Sequence, residues 1–436
     1  HGKIEILGVG KAKSLGVHKG IVNNISQTIN SIKSAVAEAQ SSAGVPISKV
    51  TVGIAGKHIR SLQHSDYIMR DHPDQYITEE DIEKLKDQVK KLVMLPGEEI
   101  IHVLPQDYKV DSEGEIQEPV GMHGKRLEAN FHVVVGQMGS IRNIARCVRE
   151  AGLEMEALTL EPLASSEAVL TKEEKEAGVA IVDIGGGTTD IAIFKDNIIR
   201  HTCVIPYGGG IITDDIKEGC SIIEKHAEQL KVKFGSSVPE LEKDSTYVTI
   251  PGLHGRPDKE ISLKVLAQII NARVEEILEM VNTELKAYGA FEQKKKLIAG
   301  IVLTGGGSNL RNLRQLANYT TGFDSRIGFA NEYVANDKNQ YLKGPEFATS
   351  IGLLMESLKI RDKKMLVTEE EIIEELKPQI ENAIQAQTQS QEIQTPQVQN
   401  DIVEIAKHKA EVKKNRPTFG QSLMKKEKKF FEEVEE

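Results

Sequence analysis

Val179-Ala180-Ile181-Val182-Asp183-Ile184-Gly185-Gly186-Gly187-Thr188-Thr189-Asp190-Ile191-Ala192-Ile193-Phe194 decides how this chain is read. Two apolar runs flank a glycine turn, the pattern of a β-hairpin. The first run delivers an acid, then three glycines, two threonines and a second acid. Glycines let backbone N–H groups come close to a polyphosphate and accept positive φ. Thr188 and Thr189 can add hydroxyl donors. Asp183 can hold Mg2+ through water, because that ion keeps several waters and takes few protein carboxylates. A tight turn needs only a Gly-Gly; the full run over Asp183–Asp190 points to a phosphate loop.

A second loop strengthens the first. Leu303-Thr304-Gly305-Gly306-Gly307-Ser308-Asn309 follows an apolar strand from Ala299 and precedes a helix at about Leu310–Thr320. Its glycines Gly305, Gly306 and Gly307 let a flat base and ribose lie on the backbone. Alone it is equally an ordinary β–α turn; two such loops, each after a buried strand, make the combination specific. Gly8-Val9-Gly10 lacks the third glycine of a dinucleotide fingerprint, and no Walker A run is present.

Outward from these loops the chain alternates. A strand at Ile4–Val9, a helix at Asn24–Gln40 and a strand at Lys49–Ala55 predict one α/β layer. Tyr67–Val135 changes character: strands surround a charged helix that opens on a capping-box-like Thr78-Glu79-Glu80-Asp81. A helix at Ser140–Ala151 follows, and helices with short polar segments fill Asp214–Leu297. The last compact helix covers Glu346–Leu358. Pro378–Asn400 is rich in Gln, Asn, Thr and Pro, too polar for a core, and reads as a linker.

Composition excludes some functions. Aromatics at 4% with no Trp, and a net charge of -10, argue against nucleic-acid binding. Cys147, Cys203 and Cys220 are far apart and form no metal pair, which fits a reducing compartment. No apolar run is long enough to span a bilayer.

The motifs carry a resemblance. Asp183–Asp190 looks like the phosphate-2 motif of the actin/heat-shock-chaperone/sugar-kinase superfamily, and Thr304–Ser308 like its adenosine motif. Glu161–Ser166 and Phe347–Gly352 resemble its two connecting helices. With VGIAGKHI (Val52–Ile59), VLPQDYKVD (Val103–Asp111), PVGMHGKRLEA (Pro119–Ala129) and RHTCVIPYGGGIITDDI (Arg200–Ile216), the chain resembles the bacterial cell-division FtsA family nearly end to end. That implies an α/β, actin-like (ribonuclease H-like) two-domain ATPase fold with an inserted α+β subdomain 1C. The implied boundaries are 1A at 1–66 and 136–176, 1C at 67–135, 2A at 177–212 and 298–362, and 2B at 213–297. A flexible linker at 363–412 and an amphipathic tail at 413–436 complete the chain.

The resemblance further implies ATP and Mg2+ as cofactors. Phosphate contacts fall at Gly185, Gly186, Gly187, Thr188 and Thr189, with Asp183 toward the metal. Ribose and adenine contacts fall at Gly305, Gly306, Gly307, Glu228 and Lys231; the last two share a helix face, where a plain salt bridge is the other reading. Glu161 is either the acid that positions water or a cap carboxylate, so the chain is at most a slow ATPase. Implied partners are the FtsZ C-terminal tail on 2B, further copies of the chain as a filament, other division proteins through 1C, and an anionic membrane. The location implied is the cytoplasmic side of the cell membrane at the division site.

The tail has its own signal. As a helix, Phe419, Leu423 and Phe430 share one side with Met424 and Phe431 close by, while Lys425, Lys428 and Lys429 fall mainly elsewhere, as in an interfacial membrane helix. The acidic ending (Glu432, Glu433, Glu435, Glu436) departs from that pattern, and a partner-binding helix is the other reading. Two further readings of the whole are a chaperone- or kinase-like ATPase and a pilus-assembly scaffold of the same fold. Because the chain opens at His1 inside an expected strand, the first phosphate hairpin of the superfamily is expected ahead of Ile4, and this stretch alone is expected to bind ATP poorly.

Overall fold

The computed structural model describes residues 3–252, 257–330, 333–335, 342 and 344–362. It separates into a body, Glu5–Ser357, and a second unit of His1–Ile4 with Leu358–Glu436. Both glycine loops lie in the body. The linker and the tail fall outside the described residues.

The body opens with a small hairpin, β1 (Val17–His18) and β2 (Ile21–Val22). Asn24 then caps α1 (Ile25–Ala43): its side chain accepts from the Gln27 amide at 3.1 Å, and Gly44 closes the helix in the left-handed region. The strand expected at Ile4–Val9 does not continue past Ile4; residues 5–15 lie along α1 instead. A Cβ on Gly10 would stand 1.8 Å from the Ala35 carbonyl oxygen, and the Lys11 amide donates to Glu38 at 3.0 Å. Alternating apolar residues make a strand only beside a ladder partner, and here the backbone is pressed onto a helix.

After β3 (Lys49–Ile54) comes an inserted sheet of β4 (Ile59–Met69), β5 (Glu98–Val110), β6 (Glu113–Ile116) and β7 (Arg126–Gln137), antiparallel in the order β4-β7-β5-β6. One face takes α2 (Glu79–Lys90), with Leu85 and Val89 packed on Phe131, Val133 and Val135. Thr78 and Asp81 form the full capping box, and buried Arg70 meets Asp81 at 3.0 Å. The insertion begins ahead of the expected boundary at 67, because β4 pairs with β7 along its whole length, from Ile59 with Gly136 to Met69 with Arg126.

The chain returns through α3 (Met138–Glu150) to β8 (Glu154–Leu160), parallel to β3, and enters α4 (Glu161–Val169) without a loop. A second capping box, Thr171 with Glu174, starts α5 (Lys172–Ala177). The second layer is a five-stranded sheet. Its hairpin strands β9 (Val179–Ile184), β10 (Thr189–Lys195) and β11 (Ile198–Ile205) are antiparallel. There follow α6 (Gly209–Gly219), α7 (Glu224–Phe234), the hairpin β12 (Tyr247–Ile250) and β13 (Lys259–Ser262), and the long α8 (Leu263–Tyr288). That hairpin corrects the all-helical reading of Asp214–Leu297; strands of four residues carry too little alternation to be seen. Last come β14 (Ile301–Thr304), α9 (Leu313–Thr321) and β15 (Ser325–Ile327), giving the order β11-β10-β9-β14-β15 with β14 parallel to both neighbours.

Contacts at a sheet edge and at a helix crossing are among those that join these parts. The free edge of β11 meets the insertion: Gln106 Nε2 donates to the Ile199 carbonyl at 2.7 Å, Ser61 Oγ to the Thr202 carbonyl at 3.2 Å, and His132 Nε2 meets Thr202 Oγ1 at 2.9 Å. Burial, with His201 nearby, lowers the His132 pKa to about 4. Elsewhere residues 348–357 are helical and cross α4 so closely that a Cβ on Gly352 would lie 1.8 Å from the Ala164 carbonyl oxygen. Gly352→Ala is therefore expected to lose about 1–3 kcal/mol or more by overpacking backbone. Gly139→Ala in α3, with open space around it, should be neutral or stabilising by about 0.5–1 kcal/mol. Urea unfolding of both variants checks this, and equal midpoints refute the tight crossing.

Candidate functional site

β9 and β14 run parallel with Asp183 opposite Thr304, so both glycine loops leave the sheet side by side at the carboxyl ends of their strands. This is where open α/β sheets form a crevice. The first loop is braced by backbone. The Gly185 amide donates to the Thr188 carbonyl at 2.9 Å, while the amides of Gly209 and Gly210, opening α6, donate to the Gly185 and Gly186 carbonyls at 2.8 and 2.7 Å. Thr188 Oγ1 donates to Asp190 at 2.9 Å, and fully buried Thr189 donates through Oγ1 to the Tyr207 carbonyl at 2.8 Å. Both hydroxyls expected to face phosphate are thus bonded within the protein and set the shape of the loop.

The glycines divide into two kinds. A Cβ on Gly305, which has φ +81°, would lie 2.3 Å from Asp183 Oδ1, and one on Gly307 would lie 2.4 Å from Ile184 Cγ2. Those two are glycine so that the second loop can pack on β9. Gly186 has nothing within 4 Å of a Cβ, and Gly306 only Glu346 Cβ at 3.9 Å. The open faces are at Gly186 and Gly306.

Three acids gather beneath the loops. Asp183 is buried, and its Oδ2 accepts from Ser165 Oγ of α4 at 2.5 Å and from Thr349 Oγ1 at 3.0 Å. Its pKa is raised by burial, against the opposing effect of those two hydroxyls. Asp190 is also buried, one oxygen lacks a partner, and burial followed by the charges of Glu161 and Asp183 raises its pKa well above the ordinary value. Glu161, the first residue of α4, keeps partial exposure and lies against Gly53 of β3. Desolvation, then the Asp183 charge, pushes its pKa up to about 7. Crowded acids and an orphaned carboxylate oxygen fit a divalent cation that neutralises them. Among the described residues no three such side chains stand at direct-ligand spacing. Asp183, occupied by two hydroxyls and walled by Gly305, contributes charge.

Lys231 does more than bridge along its own helix. Its Nζ donates at 2.7 Å to Glu228, to Thr213 Oγ1 and to the Gly209 carbonyl, tying α7 to the start of α6 beside the phosphate loop. Glu228 keeps about half of its side chain exposed, at 49%. Residues 413–436, which carry Phe419, Leu423, Met424, Lys425, Lys428, Lys429, Phe430 and Phe431, lie outside the described residues. The sequence reading misses Gly208–Gly210, whose Tyr-Gly-Gly-Gly run was signal enough, and the β1–β2 hairpin, whose turn at Lys19 reaches Gly187.

Paired glycine loops on parallel strands, two helices crossing beneath them and an inserted sheet define an actin-like ATPase fold. A chain of the PilM-PilN type IV pilus biogenesis complex shares it with a TM-score of 0.56, over 78% of this chain and 88% of that chain, at 17% identity. Family profiles go further: "Cell division protein FtsA" matches residues 180–352 and "SHS2 domain inserted in FTSA" matches 56–135. Cell division protein FtsA of Pseudomonas aeruginosa is 39% identical over 358 residues, 82% of this chain and 84% of its own length. The Neisseria meningitidis serogroup B protein is 38% identical, covering 82% and 85%, and that of Escherichia coli K12 is 34% identical, covering 81% and 84%. The chain belongs to the FtsA cell-division family.

Glu161 gives the site a pH signature. Its folded pKa lies above its ordinary 4.5, so ionisation opposes folding: the cost is absent below that pH, grows as pH rises, and is complete above about 7. Glu161→Gln is expected to be more stable than the parent by about 1–3 kcal/mol at pH 8, less than the full shift because the side chain is partly exposed. The gap should close toward pH 4.5. Urea unfolding across this range tests it, and a pH-independent gap would contradict it.

Proposed function

We propose that this protein binds ATP with Mg2+ between Asp183–Asp190 and Thr304–Ser308, forms filaments, and tethers the FtsZ ring to the cytoplasmic side of the cell membrane at the division site. The observation that carries the nucleotide reading is the pair of open faces at Gly186 and Gly306, on loops leaving adjacent parallel strands. Backbone amides of Gly186 and Gly187 suit phosphate oxygens, that of Gly185 being held by the Thr188 carbonyl, while Gly305–Gly307 suit a ribose and base edge, and Glu228 with Lys231 flank them. Bound Mg2+ and ATP supply a transferable phosphoryl group with its charge neutralised. Glu161, which keeps some exposure, orients water, and turnover is slow.

Membership of the family supports the division role, because its relatives are named for cell division. On the 213–297 segment, exposed Val232, Leu241 and Tyr247 offer apolar anchors for the FtsZ tail. The inserted sheet recruits other division proteins and contacts neighbours in the filament. Read as a helix, the tail sequence sets Phe419, Leu423 and Phe430 on one side with Lys425, Lys428 and Lys429 mainly elsewhere, a pattern that supports its lying in an anionic membrane interface.

Two experiments test this reading. Gly186→Val and Gly306→Val are expected to weaken ATP binding tenfold or more while shifting stability by less than about 1 kcal/mol, since each added side chain enters open space. Gly307→Ala should instead destabilise the fold. Unchanged ATP titrations in both valine variants would exclude the loops as the site. Deleting 413–436 should abolish sedimentation with anionic vesicles yet leave FtsZ binding intact; vesicle binding that survives the deletion rules out the tether.

A further inference from the structure

The turn His18-Lys19-Gly20-Ile21 stands against the phosphate loop, and its lysine is not what the turn requires. β1 and β2 pair through His18 with Ile21, and both turn residues are left-handed, Lys19 at φ 49° and Gly20 at φ 76°. Such two-residue turns favour Asn or Gly at the first position, and a lysine there carries backbone strain. The hairpin is wedged from two sides. A Cβ on Gly20 would fall 2.1 Å from the Ala55 carbonyl oxygen, while Lys19 N and Cα each lie 3.3 Å from where a Cβ on Gly187 would stand.

The position therefore holds Lys19 for its side chain. Its ammonium lies 4.9 Å from the centre of the Tyr207 ring. Tyr207 belongs to the same loop assembly, since its carbonyl accepts from Thr189 and the next residue, Gly208, packs on the Gly185 carbonyl. Among the described residues this ammonium faces that ring and is bridged to no carboxylate. A cation is thus parked at the rim of an open glycine loop with its charge uncompensated. An aromatic face holds an ammonium weakly at a partly exposed site, whereas a phosphate oxygen offers a charge-assisted hydrogen bond. The exchange is favourable for an anion of high charge density.

We propose that Lys19 is an anion-binding residue of the nucleotide site: its ammonium leaves the Tyr207 ring to pair with the terminal phosphates, opposite the amides of Gly186 and Gly187. This rests on the nucleotide reading above and adds a residue and a charge preference to it. Because the cation acts on the terminal phosphates, it discriminates triphosphate from diphosphate and contributes nothing to the nucleoside.

The test is equilibrium binding of ATP, ADP and adenosine to the full-length protein and to Lys19→Ala, Lys19→Gln and Lys19→Arg, with melting temperatures as the folding control. Loss of the charge is expected to weaken ATP at least tenfold and ADP less, to leave adenosine unchanged, and to flatten the salt dependence of ATP binding; arginine should restore most of the loss. Lys19→Gln keeps the side-chain stem should Lys19→Ala fail to fold. Unchanged ATP affinity in Lys19→Gln, while Gly186→Val abolishes binding, overturns the assignment and leaves the nucleotide site standing. Equal losses for ATP and adenosine overturn it as well, since they mark a structural role. An unsubstituted protein that binds no ATP overturns the nucleotide reading and this proposal together.

Discussion

The Asp183 carboxylate accepts hydrogen bonds from Ser165 on α4 and from Thr349 on the second crossing helix, while its other oxygen stands where a side chain on Gly305 would have to go. A buried carboxylate is costly unless hydrogen-bonded, so each of these neighbours is held to its place by the demand of one group. The helices cannot separate without leaving a bare charge, and the second loop cannot retreat without opening a gap beside it. Ser165 and Thr349 also meet each other at 2.9 Å. The cleft is therefore built on a knot of three side chains.

That knot redistributes what the glycine loops were expected to do. Gly305 and Gly307 serve the packing of one loop on the strand beneath the other, and Thr188 and Thr189 hold the turn together. Only Gly186 and Gly306 face open space. Glycine-rich motifs at such sites combine two pressures, close backbone packing and close ligand approach, and a sequence cannot separate them.

Other features were legible in advance to the degree that local physics fixes them. The hairpin around Asp183–Asp190, the capping box at Thr78 and Asp81, the helix opened by Asn24 and the inserted unit all follow from side-chain alternation, cap chemistry and turn residues over short windows. The failures have a shared cause. The strand at Ile4–Val9 had the right alternation but needed a ladder partner; β12 and β13 were too short to show alternation; and β4 joined the insertion because of a pairing with β7 far along the chain. The acid cluster was only half visible: Asp183 and Asp190 face each other across the legible hairpin, whereas Glu161 joins them only when α4 docks beneath the sheet. Lys19 escaped notice because Lys-Gly is a weak turn signal and its neighbour Gly187 is remote in sequence.

The meeting of the insertion with β11 has a different consequence. β11 is an outer strand of the five-stranded sheet, and an outer strand ordinarily presents unpaired carbonyls on which a foreign chain can add. Here side chains of Gln106 and Ser61 occupy the Ile199 and Thr202 carbonyls, and a neutral His132 closes the row. The edge is stoppered by polar caps that cannot themselves extend a sheet. Aggregation by strand addition is blocked on that side, and the block holds across the neutral pH range because the histidine stays uncharged well below it. The insertion thereby guards the sheet it rests on.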